Sequence, residues 1–416
     1  MDILAKHSKG KILQNDGLAL AAEAKKAKLK DPNIINSTIG TLYDENNQFY
    51  SFKTIDNIIK NLSDDDFYAY SASSGTNEFY EAVTDWIFED EKKYILNNMY
   101  CKAIPTPGGT GAVSNSIYNA LDMGETLLLP NIYWKPYLDM ANSNGFIVEE
   151  YPFIRNNKFN LTDFIMYCDR IIAKQGKVVT ILNDPCNNPT GYSLANDEFL
   201  EIIDYMNSRP NALFNVVLDI AYFDYSILDR KESRQKFSLL TKANDNILFN
   251  IAFSCSKTFS IYGLRVGAQV IVSKSQEMVK EVYESTKFLA RTRWSNVSKA
   301  GISLLTILYK NSDLKNKVID ELNGAITLVN ERAQLFVSEA KNKGLYMYPF
   351  CGGFFITVIY SNPELLANEL KIRGVFVLAV STGVRIAICS LSKNEITRIV
   401  NIIKLTIDDI SYWLLW

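Results

Sequence analysis

The feature that most constrains this chain is a series of five short runs rich in Val, Ile and Leu, each closed by polar or turn-forming residues. They lie at 126–130, 178–183, 214–219, 247–254 and 269–273. Each has the length and composition of a strand buried on both faces. Helical patterns lie between them, as at 112–121 and 196–207. Strands that alternate with helices predict an α/β fold with a mostly parallel sheet sandwiched by helices. In such a sheet ligands bind beyond the carboxyl ends of the strands. Several polar motifs of this sequence fall there.

From about residue 299 the pattern changes. A connecting helix over about 299–343 leads to Gly352-Gly353-Phe354-Phe355-Ile356-Thr357-Val358, a second strand-like run at 384–388, and a final helix from Lys393. These elements predict a smaller α+β domain. The helical composition of 9–30, ahead of Pro32, suggests that the N-terminal segment joins it. The expected division is 1–45 as an N-terminal part of the small domain, 46–298 as a large domain, and 299–416 as bridging helix and small C-terminal domain. The apolar end, Tyr412-Trp413-Leu414-Leu415-Trp416, is expected to pack on the body or on a partner subunit.

With 47% apolar and 22% charged residues and a net charge of -2, the chain has no electrostatic footprint for nucleic acid or an anionic membrane. No run approaches the roughly 18 apolar residues of a membrane span, and the N-terminus lacks the apolar core of a signal peptide. The six cysteines form no C-x-x-C pair, which argues against zinc and thioredoxin-like chemistry and for reduced thiols in the cytoplasm. The single histidine is His7. A Ser-His-Asp triad or a histidine-rich metal site is therefore not expected, and no metal site is assigned.

One segment stands out chemically: Ser254-Cys255-Ser256-Lys257-Thr258-Phe259-Ser260-Ile261-Tyr262-Gly263-Leu264-Arg265-Val266-Gly267. A lysine amine forms a Schiff base with a carbonyl cofactor. Hydroxyls and an arginine nearby suit a phosphate. The combination suggests pyridoxal phosphate; a basic surface loop is the plain alternative. Pro107-Gly108-Gly109-Thr110-Gly111-Ala112 opens a helix and reads either as an anion-binding N-terminus or as a simple turn and cap. Trp134 follows the run at 126–130 and suits either ring stacking or core packing. Asn183-Asp184-Pro185-Cys186-Asn187-Asn188-Pro189-Thr190-Gly191 is a polar turn after a buried run. Asp219 closes another, where a carboxylate is costly unless a cation or a capping role satisfies it.

Taken together, Asn188-Pro189-Thr190-Gly191, Asp219-Ile220-Ala221-Tyr222, Ser254-Cys255-Ser256-Lys257 and Arg265-Val266-Gly267 resemble the signature of fold-type I pyridoxal-phosphate aminotransferases. The branch they resemble more closely is that of the aspartate and aromatic aminotransferases. The resemblance runs in order from about Ile39 to Arg385. It implies a seven-stranded large domain and pyridoxal 5'-phosphate as cofactor. Lys257 would carry the cofactor covalently and shuttle a proton. Asp219 would pair with the protonated pyridine nitrogen, while Asn188 and Tyr222 would bond the ring's phenolic oxygen. Trp134 would stack on the ring. Gly109, Thr110, Ser254 and Arg265 would hold the phosphate. Tyr70 resembles the tyrosine that reaches the phosphate of a neighbouring subunit, which implies a homodimer with shared active sites.

For the substrate, the resemblance assigns Arg385 to the α-carboxylate, alongside Asn188, and Ile39-Gly40 to the segment that closes over it. Arg291 resembles the arginine that reads a distal carboxylate, with Arg293 as the competing candidate. The sequence departs from the aspartate-specific pattern in one place. Relatives carry a histidine behind the pyridine-binding aspartate, where counting on from Trp134 gives Tyr137 here. A tyrosine hydroxyl can orient Asp219 but brings no chargeable relay. The implied activity is transfer of an amino group from aspartate or an aromatic amino acid to a 2-oxo acid such as 2-oxoglutarate. A lyase, decarboxylase or synthase on the same scaffold, and a non-catalytic regulator, stay open as alternatives.

Overall fold

The computed structural model describes residues 3–13 and 17–413. Leu414, Leu415 and Trp416, the end of the expected apolar tail, lie outside the described residues. The chain packs as two compact units. The larger comprises 51–185 and 194–323; the smaller comprises 1–50, 186–193 and 324–416. Residues 46–50 thus pack with the smaller unit and 299–323 with the larger.

The larger unit is built on a seven-stranded sheet. Its strands, in chain order, are β1 (Tyr100–Thr106), β2 (Thr126–Pro130), β3 (Ile147–Tyr151), β4 (Lys177–Asn183), β5 (Leu213–Asp219), β6 (Ile247–Ser254) and β7 (Gly267–Ser273). Their order across the sheet is β1-β7-β6-β5-β4-β2-β3. Only β7 runs antiparallel to its neighbours, β1 and β6; the other pairs are parallel. All eight residues of β6 and all seven of β7 are buried, as the continuous apolar runs predict.

The sequence reading did not single out β1 and β3, and the reason is physical. They are the edge strands, half exposed, and carry polar residues such as Lys102, Glu149 and Glu150. Their hydrophobic pattern is correspondingly weak. Strand order reverses between β2 and β4, which makes the carboxyl ends of these strands a switch point of the sheet. Pairing of Asn183 with Asp219, and of Asp219 with Ala252, aligns the ends of β4, β5 and β6.

Helix α1 spans Gly108–Ala120 and begins four residues before the expected start at 112. The glycines form its first turn instead of preceding it. The connecting helix expected over 299–343 is two helices, Lys299–Lys310 and α2 (Ser312–Asn342). Asn311 between them has extended backbone (φ -129°, ψ 97°). Its Oδ1 accepts the amide of Leu314 at 3.0 Å, so it caps the second helix instead of continuing the first.

The smaller unit holds a three-stranded antiparallel sheet of β8 (Phe355–Ile359), β9 (Leu378–Val380) and β10 (Gly383–Ala387), in the order β8-β10-β9. The helices Gly17–Lys30, Pro363–Ile372 and Lys393–Trp413 belong to the same unit. Arg332 of α2 is fully buried. Its Nε bonds Glu45 at 2.9 Å, and its Nη1 donates to the carbonyl oxygens of Tyr43 and Cys389, both at 2.9 Å. That one guanidinium ties the N-terminal segment to the turn after β10. Among the described residues, no helix is long and apolar enough to cross a membrane.

Candidate active site

The larger unit gathers its polar motifs where the parallel strands end. Asp219, the last residue of β5, is buried, as is Tyr137 on the helix Pro136–Asn144. The Tyr137 hydroxyl donates to Asp219 Oδ2 at 2.6 Å, and the Ala221 amide donates to Oδ1 at 3.1 Å. Among the described residues no cation pairs with this carboxylate. Burial pushes its pKa above the ordinary carboxylate value, and the two hydrogen bonds only partly offset that. Burial and the neighbouring carboxylate likewise hold the Tyr137 phenol well above its ordinary range, so it stays a donor. Trp134 packs edge-on against the Tyr137 ring, with centroids 5.4 Å apart.

Lys257 lies on the short helical turn Cys255–Thr258 directly after β6. Ser254 caps that turn by accepting the Ser256 amide at 3.3 Å. The Lys257 ammonium sits 4.5 Å from the centroid of the Tyr262 ring and 5.8 Å from that of the Tyr222 ring. The buried Tyr222 follows β5 by three residues.

Arg265 adopts a left-handed backbone conformation (φ 51°). Its Nη1 donates to Ser256 Oγ at 3.1 Å and to the Tyr262 carbonyl at 3.0 Å, and its Nη2 to the Pro107 carbonyl at 3.4 Å. The guanidinium is thereby placed at the start of α1. Gly108 makes this approach possible: a Cβ there would lie 2.6 Å from Arg265 Nη2, and its φ of +69° disfavours any side chain. Pro107, the residue before α1, offers no side-chain cap. The first turn therefore presents backbone N–H groups of Gly109 and Thr110 beside a cation, with buried Ser254 near Gly109. A helix N-terminus, an arginine fork and hydroxyls form the donor set that a phosphate ester needs.

Tyr70 and Arg291 are both exposed on the larger unit. Tyr70 is 90% exposed. Its neighbour Ser71 bonds the Val297 carbonyl at 2.8 Å and accepts from Asn296 Nδ2 at 3.1 Å through its own carbonyl. Arg291, also exposed, donates to Ser295 Oγ at 2.6 Å. Arg293, the competing candidate, is engaged elsewhere: it bonds Asn115 Oδ1 at 3.0 Å and stacks on the Tyr118 ring at 4.0 Å.

In the smaller unit, Arg385 sits at the centre of β10, opposite Thr357. It is almost fully buried. Its Nη1 donates to Asn188 Oδ1 at 3.1 Å, its Nη2 to the Thr38 carbonyl, and its guanidinium lies 4.1 Å from the Phe355 ring centroid. The Asn188 loop is fixed in turn by Thr357 Oγ1, which bonds the Pro189 carbonyl at 2.8 Å. Ile39 and Gly40 follow Thr38 directly. A Cβ on Gly40 would lie 2.5 Å from Phe355 Cζ, so glycine is what lets the ring lie under Arg385.

The larger unit thus brings together Lys257, Asp219, Tyr222, Trp134, Gly109, Thr110, Ser254 and Arg265, with Tyr70 and Arg291 apart on its surface. The smaller unit joins Arg385 to Asn188 and to the stretch leading to Ile39 and Gly40. Sequence reasoning did not single out Ser256, although it stands in the hydroxyl-rich run beside Lys257. Phe355 carried no signal, because only strand register brings its ring to Arg385.

The family described as aminotransferase class I and II matches residues 32–403. An aromatic-amino-acid aminotransferase of Pseudomonas aeruginosa is 28% identical over 234 residues, which is 55% of this chain and 56% of that protein. The chain therefore spans little more than half the length of that relative. An aspartate aminotransferase of the same organism is 26% identical over 301 residues, 70% of this chain and 72% of its own length. The crystal structure of an aminotransferase from Anaerococcus prevotii superposes with a TM-score of 0.93 at 27% identity, covering 97% of this chain and 99% of the other. With its seven-stranded sheet and with the family match running over most of its length, the chain belongs to the class I and II aminotransferases.

Proposed function

We propose that this protein is a pyridoxal-phosphate-dependent aminotransferase, acting as a cytoplasmic homodimer. It takes the amino group of aspartate or an aromatic amino acid and passes it to a 2-oxo acid such as 2-oxoglutarate. Atoms balance between the two substrates: amine and carbonyl change places with no net oxidant or water. The observation that carries the reading is the buried carboxylate of Asp219, held by Tyr137 and paired with no cation among the described residues. Such a group suits a protonated pyridine nitrogen.

When bound, pyridoxal phosphate supplies the electron sink that stabilises a carbanion at the donor's α-carbon. The chain's residues do the rest. Asp219 would accept the ring N–H, with Tyr137 keeping its carboxylate in place. Lys257 would hold the cofactor through its Nζ and serve as the group that moves the proton at the α-carbon. Tyr222 and Asn188 would hydrogen-bond the phenolic oxygen, and Trp134 would cover the ring. Gly109, Thr110, Ser254 and Arg265 bind the phosphate, with Ser256 orienting Arg265. Arg385 takes the donor's α-carboxylate in a planar fork, steadied by Asn188 and Phe355. Ile39 and Gly40 line the donor. Tyr70 and Arg291, both exposed, are assigned to the phosphate and to the substrate's distal carboxylate, each in the neighbouring subunit's site.

An absorbance spectrum of the purified protein tests the reading. With pyridoxal phosphate added, a visible band is expected, and it should move to the near-ultraviolet on adding aspartate or tyrosine. A band that neither amino acid shifts would remove these donors; no band at all would remove Lys257 from its role.

A further inference from the structure

Beside Lys257 lies a buried charged cluster that none of the assigned roles uses. Its centre is Asp224, whose side chain is almost wholly buried. Four donors converge on this carboxylate. Arg230 Nη1 reaches Oδ1 at 2.9 Å, and Arg234 Nη2 reaches the same oxygen. Thr258 Oγ1 donates to Oδ2 at 2.7 Å, and Trp86 Nε1 to the same oxygen at 3.3 Å.

The cluster is charge-balanced and packed. Glu89 accepts from Arg230 Nε at 2.6 Å, giving two acids for two arginines. The Arg230 guanidinium lies 4.6 Å from the Trp86 ring centroid, and that of Arg234 4.2 Å from the Phe223 centroid. Burial would raise the Asp224 carboxyl, but the two guanidiniums outweigh it and hold it below the ordinary value. Asp224 is therefore a fixed anion.

What this anion grips is informative. Thr258 is the residue after Lys257, and Asp224 lies two residues after Tyr222. Tyr225, the next residue, donates its hydroxyl to the carbonyl of Lys257 itself at 3.2 Å. Two consecutive residues of one loop thus hold two consecutive residues of the lysine turn. That turn is only four residues long and cannot fix its own geometry. We propose that Asp224 is a positioning residue, acting through Thr258 to hold the backbone of Lys257 in register with Tyr222. The inference rests on the reading of Lys257 as the cofactor-bearing residue.

Thr258→Val decides it, because it removes one buried hydroxyl and keeps the shape. Asp224→Asn leaves two guanidiniums around a neutral amide and is expected to destabilise the whole unit, so it serves only as a comparison. Thr258→Ser is the conservative variant that restores the donor. Three readouts are taken on the full chain: the rate at which added pyridoxal phosphate becomes reducible onto Lys257 by borohydride, located by peptide mass spectrometry; the pH midpoint of the visible band; and kcat and KM for the amino donor. A misplaced reacting group costs on the order of 100-fold in rate. The expectation for Thr258→Val is capture slowed by about tenfold or more, a moved pH midpoint, and a fall in kcat with little change in KM, all recovered in Thr258→Ser. Wild-type capture rate and midpoint in Thr258→Val would overturn the proposal, as would losses that serine does not recover. Absence of any reducible adduct on Lys257 in the wild-type chain would instead overturn the functional reading on which it stands.

Discussion

Tyr137 and Asp219, 82 residues apart in sequence, are joined by a 2.6 Å hydrogen bond in the interior of the larger unit. The phenol orients the carboxylate by donating a hydrogen bond to Oδ2. Burial and the neighbouring carboxylate push its pKa well above the ordinary tyrosine value. At neutral pH the carboxylate is therefore held by a protonated donor.

Replacing Tyr137 with Phe leaves Asp219 with the Ala221 amide as its only hydrogen-bond donor among the described residues. The cofactor-free chain should lose about 1–3 kcal/mol in chemical denaturation, the usual cost of an unsatisfied buried group. Affinity for pyridoxal phosphate should fall as well. An unchanged stability and affinity would mean that another group holds Asp219.

Asp219 also sets a pH dependence in the cofactor-free protein. Its folded pKa is raised, so the native chain binds this proton more tightly than the unfolded chain. The stabilisation is fully present below the unfolded carboxylate value of about 3.9 and is lost as pH rises through the folded value. Asp219→Asn should remove that decline. The difference between the two proteins, measured by denaturation from acid to neutral pH, should therefore shift in favour of the variant as pH rises. A constant difference would contradict the assignment.

The two substrate arginines should separate by donor. Arg291→Leu should lower kcat/KM for aspartate about 10- to 100-fold, the equivalent of a charged hydrogen bond of roughly 1.5–3 kcal/mol. Phenylalanine should be nearly unaffected. Arg385→Lys should lower both, because the planar fork is lost for every α-carboxylate. Equal losses for both donors in Arg291→Leu would sink the distal-carboxylate role.

Gly108→Ala tests the phosphate cradle without replacing a charged group. The new Cβ would meet Arg265 Nη2 at 2.6 Å from a backbone with φ +69°. Either the guanidinium or the first turn of α1 must move. Inorganic phosphate, titrated into the cofactor-free chain by calorimetry, should bind more weakly in the variant. Equal affinity would show that Arg265 and this helix terminus do not bind phosphate.

In the smaller unit, Gly40→Ala should act on Arg385 at one remove. Its Cβ would lie 2.5 Å from Phe355 Cζ, and the displaced ring lies under the guanidinium. Overpacking of this kind costs about 1–3 kcal/mol. The expected result is a raised KM for every amino donor, read by steady-state kinetics. A rise confined to aspartate would point instead to the side-chain pocket.

The sequence by itself determined the buried centre of the sheet and which polar motifs stand at its strand ends. The runs at 126–130 and 247–254 match β2 and β6 in full, because a strand covered on both faces must be apolar throughout. The motifs around Lys257, Asp219, Asn188 and Arg385 stand out because they are local and ordered along the chain. The tertiary structure decided what depends on distant residues meeting. Edge strands β1 and β3 left a weak pattern because half of each faces water. Strand register alone set Phe355 under Arg385. The sequence favoured Arg291 over Arg293 only by its spacing to Ser295-Asn296, whereas packing is what engages Arg293 with Asn115 and Tyr118. The Asp224 cluster draws on residues from 86 to 258. No local pattern announces it, because the cations and donors that satisfy this buried carboxylate come from distant parts of the chain.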